Sequence, residues 1–336
     1  GGHIFNSKNN HVSNWFWGKF DKEKEFVNVK RNAVIDLNKK FVSYPIELNL
    51  SQLDLSVGKK IITELIDLSN LGKDIRSGSF EEFLKYNFGK TLCEIYFNKY
   101  NEKIWNRDLG TIPIDWLEGK LPMIGPKEIL FKNVFSSKED NMVHSTFYYP
   151  KLGGSQFIVN RLCEGINLKN EQIKKIGIQN KKIKLNEDTN PFDSLIFTGD
   201  VRDLKNILDE NIIQELEIEK VLNDISNLDS NPTSTMLCEC DANPYSWVYL
   251  PNPNIKPHRI IMTGNFSENN NSKILNKNRI SCTVECSGNV IFEEFLDELD
   301  RLPFNLKHIA YNYSASSYII QNSNTRLLIK ELKQKL

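Results

Sequence analysis

Two different hydrophobic periods on one chain set its fold class. After Ser79 the residues Phe80, Phe83, Leu84, Phe88, Leu92, Ile95 and Tyr96 recur at three- and four-residue steps, which gathers them on one side of an α-helix. Ile280, Cys282, Val284 and Cys286 recur at every second position, which gathers them on one side of a β-strand. A chain that must bury both patterns is mixed α and β. The helical start is also written out. Ser79-Phe80-Glu81-Glu82 is a capping box, in which the serine oxygen and the glutamate carboxylate each take a backbone amide that the first turn leaves open.

The other segments follow in order. Asn14 to Phe20, with Trp15, Phe16 and Trp17, reads as a short buried helix. Residues 27–46 read as a β-hairpin: Val34, Ile35, Leu37, Phe41 and Val42 flank the turn Asn38-Lys39-Lys40, and Pro45 ends the second strand. Residues 51–105 are mostly helical, with Lys59 to Leu68 as a second amphipathic segment. Phe147 to Gly154 reads as a turn feeding a helix. Short strands are expected near Ile173–Ile178 and Lys181–Leu185, and a buried strand at Ser194–Thr198. Ser246–Leu250, His258–Thr263 and Arg279–Cys286 read as β, and Val290–Leu302 and Asn324–Leu336 as helices. The divisions expected are 1–50 with the hairpin, 51–145 mainly helical, 146–230 mixed, 231–320 a β-sheet, and 321–336 a terminal helix.

Charge narrows the partners. Lysine plus arginine and aspartate plus glutamate both number 43, so the net charge is zero. Nucleic-acid binders carry a basic excess, so no nucleic-acid partner is expected, although a local basic site for a phosphorylated small molecule is compatible with neutrality. No apolar run approaches the roughly 20 residues of a membrane span, and no leader peptide is visible, so the cytoplasm is the default compartment. The six cysteines, Cys93, Cys163, Cys238, Cys240, Cys282 and Cys286, are too sparse for a disulfide framework. Cys238-Glu239-Cys240 and Cys282 with Cys286 lack the spacing of common zinc sites, so no metal is expected.

Three segments carry possible chemistry. Gly1-Gly2-His3 opens the chain with a pair that allows close backbone approach, though a glycine pair alone says little. Phe147-Tyr148-Tyr149-Pro150-Lys151-Leu152-Gly153-Gly154-Ser155 puts two glycines before a helix start, where free amides suit an anion and tyrosines can stack on a flat ring. The same segment also fits a plain tight turn. On Ser246–Leu250, Trp247 and Tyr249 share one strand face, and Arg259 on a neighbouring strand can reach it. Aromatics beside an arginine suit a nucleotide or sugar phosphate, or simply a sheet surface with one cation–π pair. No nucleophile elbow, zinc-protease helix, phosphate loop or G-x-G-x-x-G occurs.

The order of these pieces resembles the flavoproteins of the UDP-galactopyranose mutase and protoporphyrinogen-oxidase-like (amine oxidase) group. Gly1-Gly2-His3 looks like the pair that follows their second strand. Phe88-Gly89-Lys90 with Tyr96 to Tyr100 and Lys103-Ile104-Trp105 resembles their helical pattern ending in Tyr-x-x-Lys-x-Trp. Trp116 to Lys120 stands where Trp-x-x-x-Arg is usual, so Lys120 keeps the charge but loses the two-pronged fork. Phe147 to Ser155 resembles their Tyr-Pro-Lys-x-Gly-Gly turn, Phe192 to Thr198 the strand after which the chain passes the flavin, and Trp247 to Ile260 the substrate-side sheet. Tyr318-Ile319-Ile320 matches a late Tyr-Pro-Ile element, with Ile319 in place of proline.

The resemblance implies an α/β fold: an incomplete FAD-binding, Rossmann-like domain with a helical insertion and a mixed or antiparallel substrate-side sheet. It implies FAD as cofactor, facing Gly1, Gly2, His3, Gly153, Gly154 and Thr198. Substrate would meet Lys120, Tyr148, Tyr149, Trp247, Tyr249, Arg259 and Tyr318. The group's G-x-G-x-x-G turn would precede Gly1 and its later flavin loop would follow Leu336, so the stretch given is expected to bind FAD poorly and to be inactive alone. The activity implied is that of the mutases, on a nucleotide sugar for surface polysaccharide, with reduced flavin N5 as nucleophile. The alternatives are a flavin oxidase of the same fold, or a non-catalytic binding protein that kept it.

Overall fold

The period-two run at Ile280–Cys286 lies in a strand of a seven-stranded sheet. The computed structural model describes residues 2–71, 78–114, 124–135, 145–187, 191–271, 278–320 and 324–336. Its strands are β1 (Phe26–Lys30), β2 (Ala33–Leu37), β3 (Lys40–Ser43), β4 (Thr146–Pro150), β5 (Ile176–Gln179), β6 (Lys182–Leu185), β7 (Ser230–Asp241), β8 (Trp247–Tyr249), β9 (Arg259–Ile261), β10 (Arg279–Ser287) and β11 (Lys307–Ile319). The chain forms two units, Gly1–Gly165 with Asn231–Ser317, and Ile166–Ser230 with Tyr318–Leu336.

In the first unit the large sheet has the order β11-β7-β10-β9-β8-β2-β3. β10 pairs antiparallel with β7 from Arg279↔Asp241 to Ser287↔Thr233, so Cys282 faces Cys238 across the ladder. Cys238, Cys240, Cys282 and Cys286 are fully buried beside Met236, Val284 and Phe295 of the helix Phe292–Leu299, and act as small apolar side chains. Among the described residues no group of His, Cys, Asp or Glu is arranged to hold a metal ion. β2 and β3 form the hairpin read from sequence. Asn38 and Lys39 both have positive φ, 56° and 70°, which is the primed turn that matches strand twist. β2 also runs parallel to β8, which stitches the hairpin onto the sheet.

A helical layer covers this hairpin. Leu55–Leu71, Phe80–Leu92, Asn98–Trp105 and Pro126–Val134 bury Ile61, Leu65, Phe80, Leu84, Phe88, Leu92 and Ile129 against Ile35, Val42 and Ile46. The capping box forms: Ser79 Oγ accepts from the Glu82 amide at 3.3 Å, and the Glu82 carboxylate accepts from the Ser79 amide at 3.0 Å. Gly89, at φ 79°, breaks the regular run of Phe80–Leu92. A side chain there would collide with Glu64, whose carboxylate takes the Thr91 amide at 2.8 Å and its hydroxyl at 2.6 Å. Cys93–Phe97 then runs as a π-helix, with the Asn98 amide bonding back to the Cys93 carbonyl.

In the second unit β5 and β6 form a hairpin through Asn180 and Lys181, both at positive φ. The helices Glu219–Ser226 and Thr325–Lys335 bury Val221, Leu222, Ile225 and Leu332. No helix among the described residues is long and apolar enough to cross a membrane.

Four local readings are corrected. Ser194–Thr198 is not a buried strand: the segment is irregular, with Ile196 87% exposed, because the apolar run finds no strand to pair with among the described residues. Phe147–Pro150 is not a turn but part of β4, which pairs with β1 from Phe26↔Pro150 to Lys30↔Thr146. Its aromatic run carries the β-preference, and the turn begins only after Pro150. The hairpin is therefore shorter than residues 27–46, since β1 belongs to that other ladder. Finally, the first helix starts earlier, at Asn10, and buries Phe16 while leaving Trp15 51% exposed. We expect Ser79→Ala to cost about 1 kcal/mol of stability by removing one half of the capping box. An unchanged urea midpoint would show that the box contributes nothing.

Candidate functional site

β8 and β9 set the register of the site. Tyr249 lies opposite Arg259, and Trp247 opposite Ile261. Trp247 and Tyr249 point to one face because strand side chains alternate. Parallel pairing of β2 with β8 carries the chain just before β2 over that face, which delivers Arg31. Its Nη2 donates to the Tyr249 hydroxyl at 2.8 Å. The same guanidinium lies 4.8 Å from the Tyr44 ring centre and 5.4 Å from that of Trp247.

The helical layer supplies two more rings. Tyr96, in the π-helical segment, and Tyr100, in the helix after it, stack with centres 5.3 Å apart. Tyr100 meets Tyr249 edge-on at 5.3 Å, and Tyr44 meets Tyr249 at 4.9 Å. Burial pushes the Tyr96 and Tyr100 hydroxyls well above the usual phenol range, so both stay protonated and able to donate.

The two arginines differ in their surroundings. Arg259 Nε donates to the Glu285 carboxylate, and Glu285 is its cross-strand neighbour on β10. Burial works against the charge on Arg259, and Glu285 with the nearby tyrosines more than restores it. Arg31 has no ion-pair partner among the described residues, and its buried Nε has no hydrogen-bond acceptor. His258 lies 3.8 Å from the Glu285 carboxylate, but burial, then Arg259 and Lys103, hold its pKa well below the usual value, so the ring is neutral. The Lys103 ammonium reaches from the helix Asn98–Trp105 to the loop between β8 and β9. There it donates to the carbonyls of Leu250, Asn252 and Pro257 at 2.7, 2.9 and 2.6 Å.

A second cluster joins the two glycine segments. Gly153 and Gly154 have φ of 73° and 57° and start the helix Gly154–Leu162, whose first turn no side chain caps. Ser155 Oγ donates to the His3 carbonyl at 3.1 Å, and Phe5 pairs with Tyr148 of β4. Segments some 150 positions apart in sequence thus meet. Gly2 packs tightly, since a Cβ there would come within 2.7 Å of Ile261. The residues present fit the approach of a flat or anionic group at the helix start, with Gly2, His3, Gly153 and Gly154 around it. This strand–glycine-turn–helix unit lacks the G-x-G-x-x-G spacing that holds a pyrophosphate, which occurs nowhere in the sequence.

Of the sequence-expected residues, Trp247, Tyr249 and Arg259 come together, as do Gly2, His3, Gly153 and Gly154. Tyr148 and Tyr149 diverge: Tyr148 packs on Trp17 under Lys22, whereas Tyr149 is buried against Phe266. Thr198 is exposed, and Tyr318 is 58% exposed near the end of β11. Gly1 and Lys120 lie outside the described residues, as does the whole Trp116–Lys120 segment. Sequence reasoning missed Arg31 and Tyr44. Both flank β2–β3, and their only signal was a cation and an aromatic at the two ends of a hairpin. Tyr96 and Tyr100 were visible as a pair four apart, but not as part of a site.

No protein-family profile matches the chain. Solved structures do share its fold. A reduced UDP-galactopyranose mutase superposes with a TM-score of 0.84 over 100% of this chain and 76% of its own, at 16% identity. A putative protoporphyrinogen oxidase from Exiguobacterium sp. 255-15 gives 0.63 over 97% and 78%, at 11% identity. Cyclohexylamine oxidase from Brevibacterium oxydans IH-35A gives 0.57 over 98% and 74%, at 10% identity. The chain therefore has the mixed α/β fold of the group that its motifs resemble.

Burial lowers the Lys103 pKa to about 8, from 10.5. Between those values the unfolded chain holds the proton and the folded chain does not, so this group's contribution to stability rises with pH across that window. A Lys103→Met variant is expected to lose that rise in a pH series of urea midpoints. The same slope in variant and parent would assign it to another group.

Proposed function

We propose that this chain is the substrate-facing part of a flavin-dependent enzyme that acts on a nucleotide sugar, in the manner of a UDP-galactopyranose mutase serving surface-polysaccharide synthesis. The observation that carries the reading is the composition of one face. Arg31 and Arg259 stand among Tyr44, Tyr100, Trp247 and Tyr249, with Glu285 as the carboxylate that answers Arg259. That face has aromatic surfaces for a base or sugar ring and a positive charge left over for a phosphate. The tighter superposition on the mutase than on either oxidase supports the same choice.

Each side chain then has a task. The half-buried Tyr44 and Tyr249 offer ring surface, while Trp247 is buried against Phe147 and Phe266 and backs the Arg31 guanidinium. The protonated Tyr96 and Tyr100 hydroxyls stay neutral in an apolar setting and can donate without adding charge. Arg31 balances the anion, and its burial strengthens that attraction relative to water. Neutral His258 adds no competing charge. A bound flavin, facing Gly2, His3, Gly153 and Gly154, would supply the nucleophilic or hydride-accepting centre that no side chain here provides. The roles of Gly1, Lys120, Tyr148, Tyr149, Thr198 and Tyr318 at cofactor or substrate remain part of the proposal.

The test is an absorbance spectrum of the protein expressed from its full natural reading frame, followed by assays with UDP-sugars. A flavin spectrum, with pyranose–furanose interconversion only after reduction and with no net redox change, is the expected result. Bleaching of oxidised flavin by an amine or other reduced substrate would move the assignment to an oxidase. A colourless protein would remove both enzyme readings and leave a binding protein of this fold.

A further inference from the structure

A strap of chain just after β9 grips the glycine turn from outside. Residues 263–271 fold back over β4, and the fully buried Phe266 anchors them there. Its ring centre lies 5.1 Å from Phe147, 5.4 Å from Tyr149 and 5.0 Å from Trp247. Asparagine side chains fix the strap's shape. Asn265 Nδ2 donates to the Asn243 and Tyr245 carbonyls at 2.8 and 2.6 Å, and Asn270 Nδ2 to the Thr263 carbonyl at 2.8 Å. Asn271 Oδ1 accepts the Ser281 amide at 2.8 Å, and it fills the space that a Cβ on Gly264 would need. From this fixed base two side chains reach one atom. Ser267 Oγ donates to the Lys151 carbonyl at 2.7 Å, and Asn269 Nδ2 donates to the same oxygen at 2.9 Å. Ser267 is only 5% exposed, so its bond is sheltered from competing water.

Lys151 is the last residue before Leu152-Gly153-Gly154. Its amide donates to the Glu25 carbonyl at 2.8 Å and its ammonium to the Glu23 carbonyl at 2.6 Å, so Lys151 is held at three points. The turn itself is open. The amides of Leu152 and Gly153 have no acceptor among the described residues, and no side chain caps the helix Gly154–Leu162. A trans peptide is planar, with its C=O and the following N–H pointing in opposite directions. Two donors on the Lys151 oxygen therefore also set the direction of the Leu152 amide, away from the strap. Gly153 and Gly154, at φ of 73° and 57°, would follow any swing of that plane at little cost. The aim of the open amides thus depends on the strap rather than on the turn's own side chains.

We infer that Ser267 and Asn269 are positioning residues for the cofactor turn, which rests on the reading that a flavin faces Gly153 and Gly154. They act through the Lys151 carbonyl and direct the turn's open amides at hydrogen-bond acceptors on the bound group. Their role needs no contact with the flavin itself.

The experiment is titration of the flavin-free protein, expressed from its full natural reading frame, with FAD. Affinity is read from flavin fluorescence, and the visible spectrum of the bound flavin is recorded beside it. Parent is compared with the double variant Ser267→Ala/Asn269→Ala and with Asn269→Asp, which sets an acceptor against the Lys151 carbonyl at an exposed position. Asn270→Ala is the control, because it removes a bond inside the strap and leaves Lys151 untouched. The double variant is expected to bind FAD about tenfold more weakly and to shift the visible band of bound flavin, since two hydrogen bonds to the turn are lost. Asn269→Asp should weaken FAD in the same direction. Asn270→Ala should keep the parent's affinity and spectrum while its flavin-free thermal melt falls as far as that of the double variant.

Parent-like FAD affinity and spectrum in the double variant would overturn the positioning role and leave the flavin reading intact. An equal loss of FAD in Asn270→Ala would assign the effect to general integrity of the strap and overturn the role as well. Parent protein that binds no FAD would overturn the flavin reading and this role with it. If the double variant does not fold, Asn269→Asp decides: weaker FAD with a shifted band supports the role, and parent-like values overturn it.

Discussion

One ammonium group ties the helical layer to the sheet. Lys103 sits on the helix Asn98–Trp105 and takes three carbonyls of the loop that joins β8 to β9. Those carbonyls have no strand partner to bond, and a buried loop without donors would be costly. The lysine satisfies them together and so fixes where the helix lies along the sheet. Tyr100, three residues earlier on the same helix, is thereby set against Tyr249, and the aromatic face forms. Asn231 Nδ2 and Ser287 Oγ both donate to the Ile104 carbonyl, one residue on, which pins the end of this helix to β7 and β10 as well.

The parts of this fold that were legible in sequence are those with a local cause. The period-two run on β10 specifies its buried face because register and burial coincide there, and the Asn38-Lys39 turn specifies its hairpin because asparagine tolerates positive φ. The capping box did the same for the helix Phe80–Leu92. What failed had a distant cause. β1 and β4 pair across more than a hundred residues, so neither segment shows its partner. β7 and β11, of 12 and 13 residues, went unread because their many serine, threonine, asparagine and charged positions blur alternation. Ser194–Thr198 looked like a strand because apolar runs usually do, yet burial depends on neighbours that the run itself does not encode.

The candidate site divides in the same way. Trp247, Tyr249 and Arg259 were visible as a set because they lie on two short strands that are adjacent in sequence and in space. Arg31 was not, because it reaches the face only through the parallel pairing of β2 with β8, a contact between segments more than two hundred positions apart. Glu285 likewise changes the meaning of Arg259 from β10, well beyond the motif that made the arginine noticeable. Sequence can show which residue types stand near one another along the chain. Which charge is left unmatched is a property of the folded arrangement.

The π-helical stretch Cys93–Phe97 acts as a phase shifter. A π turn accommodates an extra residue without ending the helix, and one residue of α-helix corresponds to a rotation of about 100°. Everything downstream on this helix, Tyr100 and Lys103 included, faces the direction it does because of that local widening. Deleting one residue there would let the backbone close to ordinary α-helix with Tyr100 and Lys103 still turned to the sheet, because the wide turn is what absorbs the extra residue. Tightening the stretch without a deletion would instead swing both side chains by about 100° and disconnect the two layers.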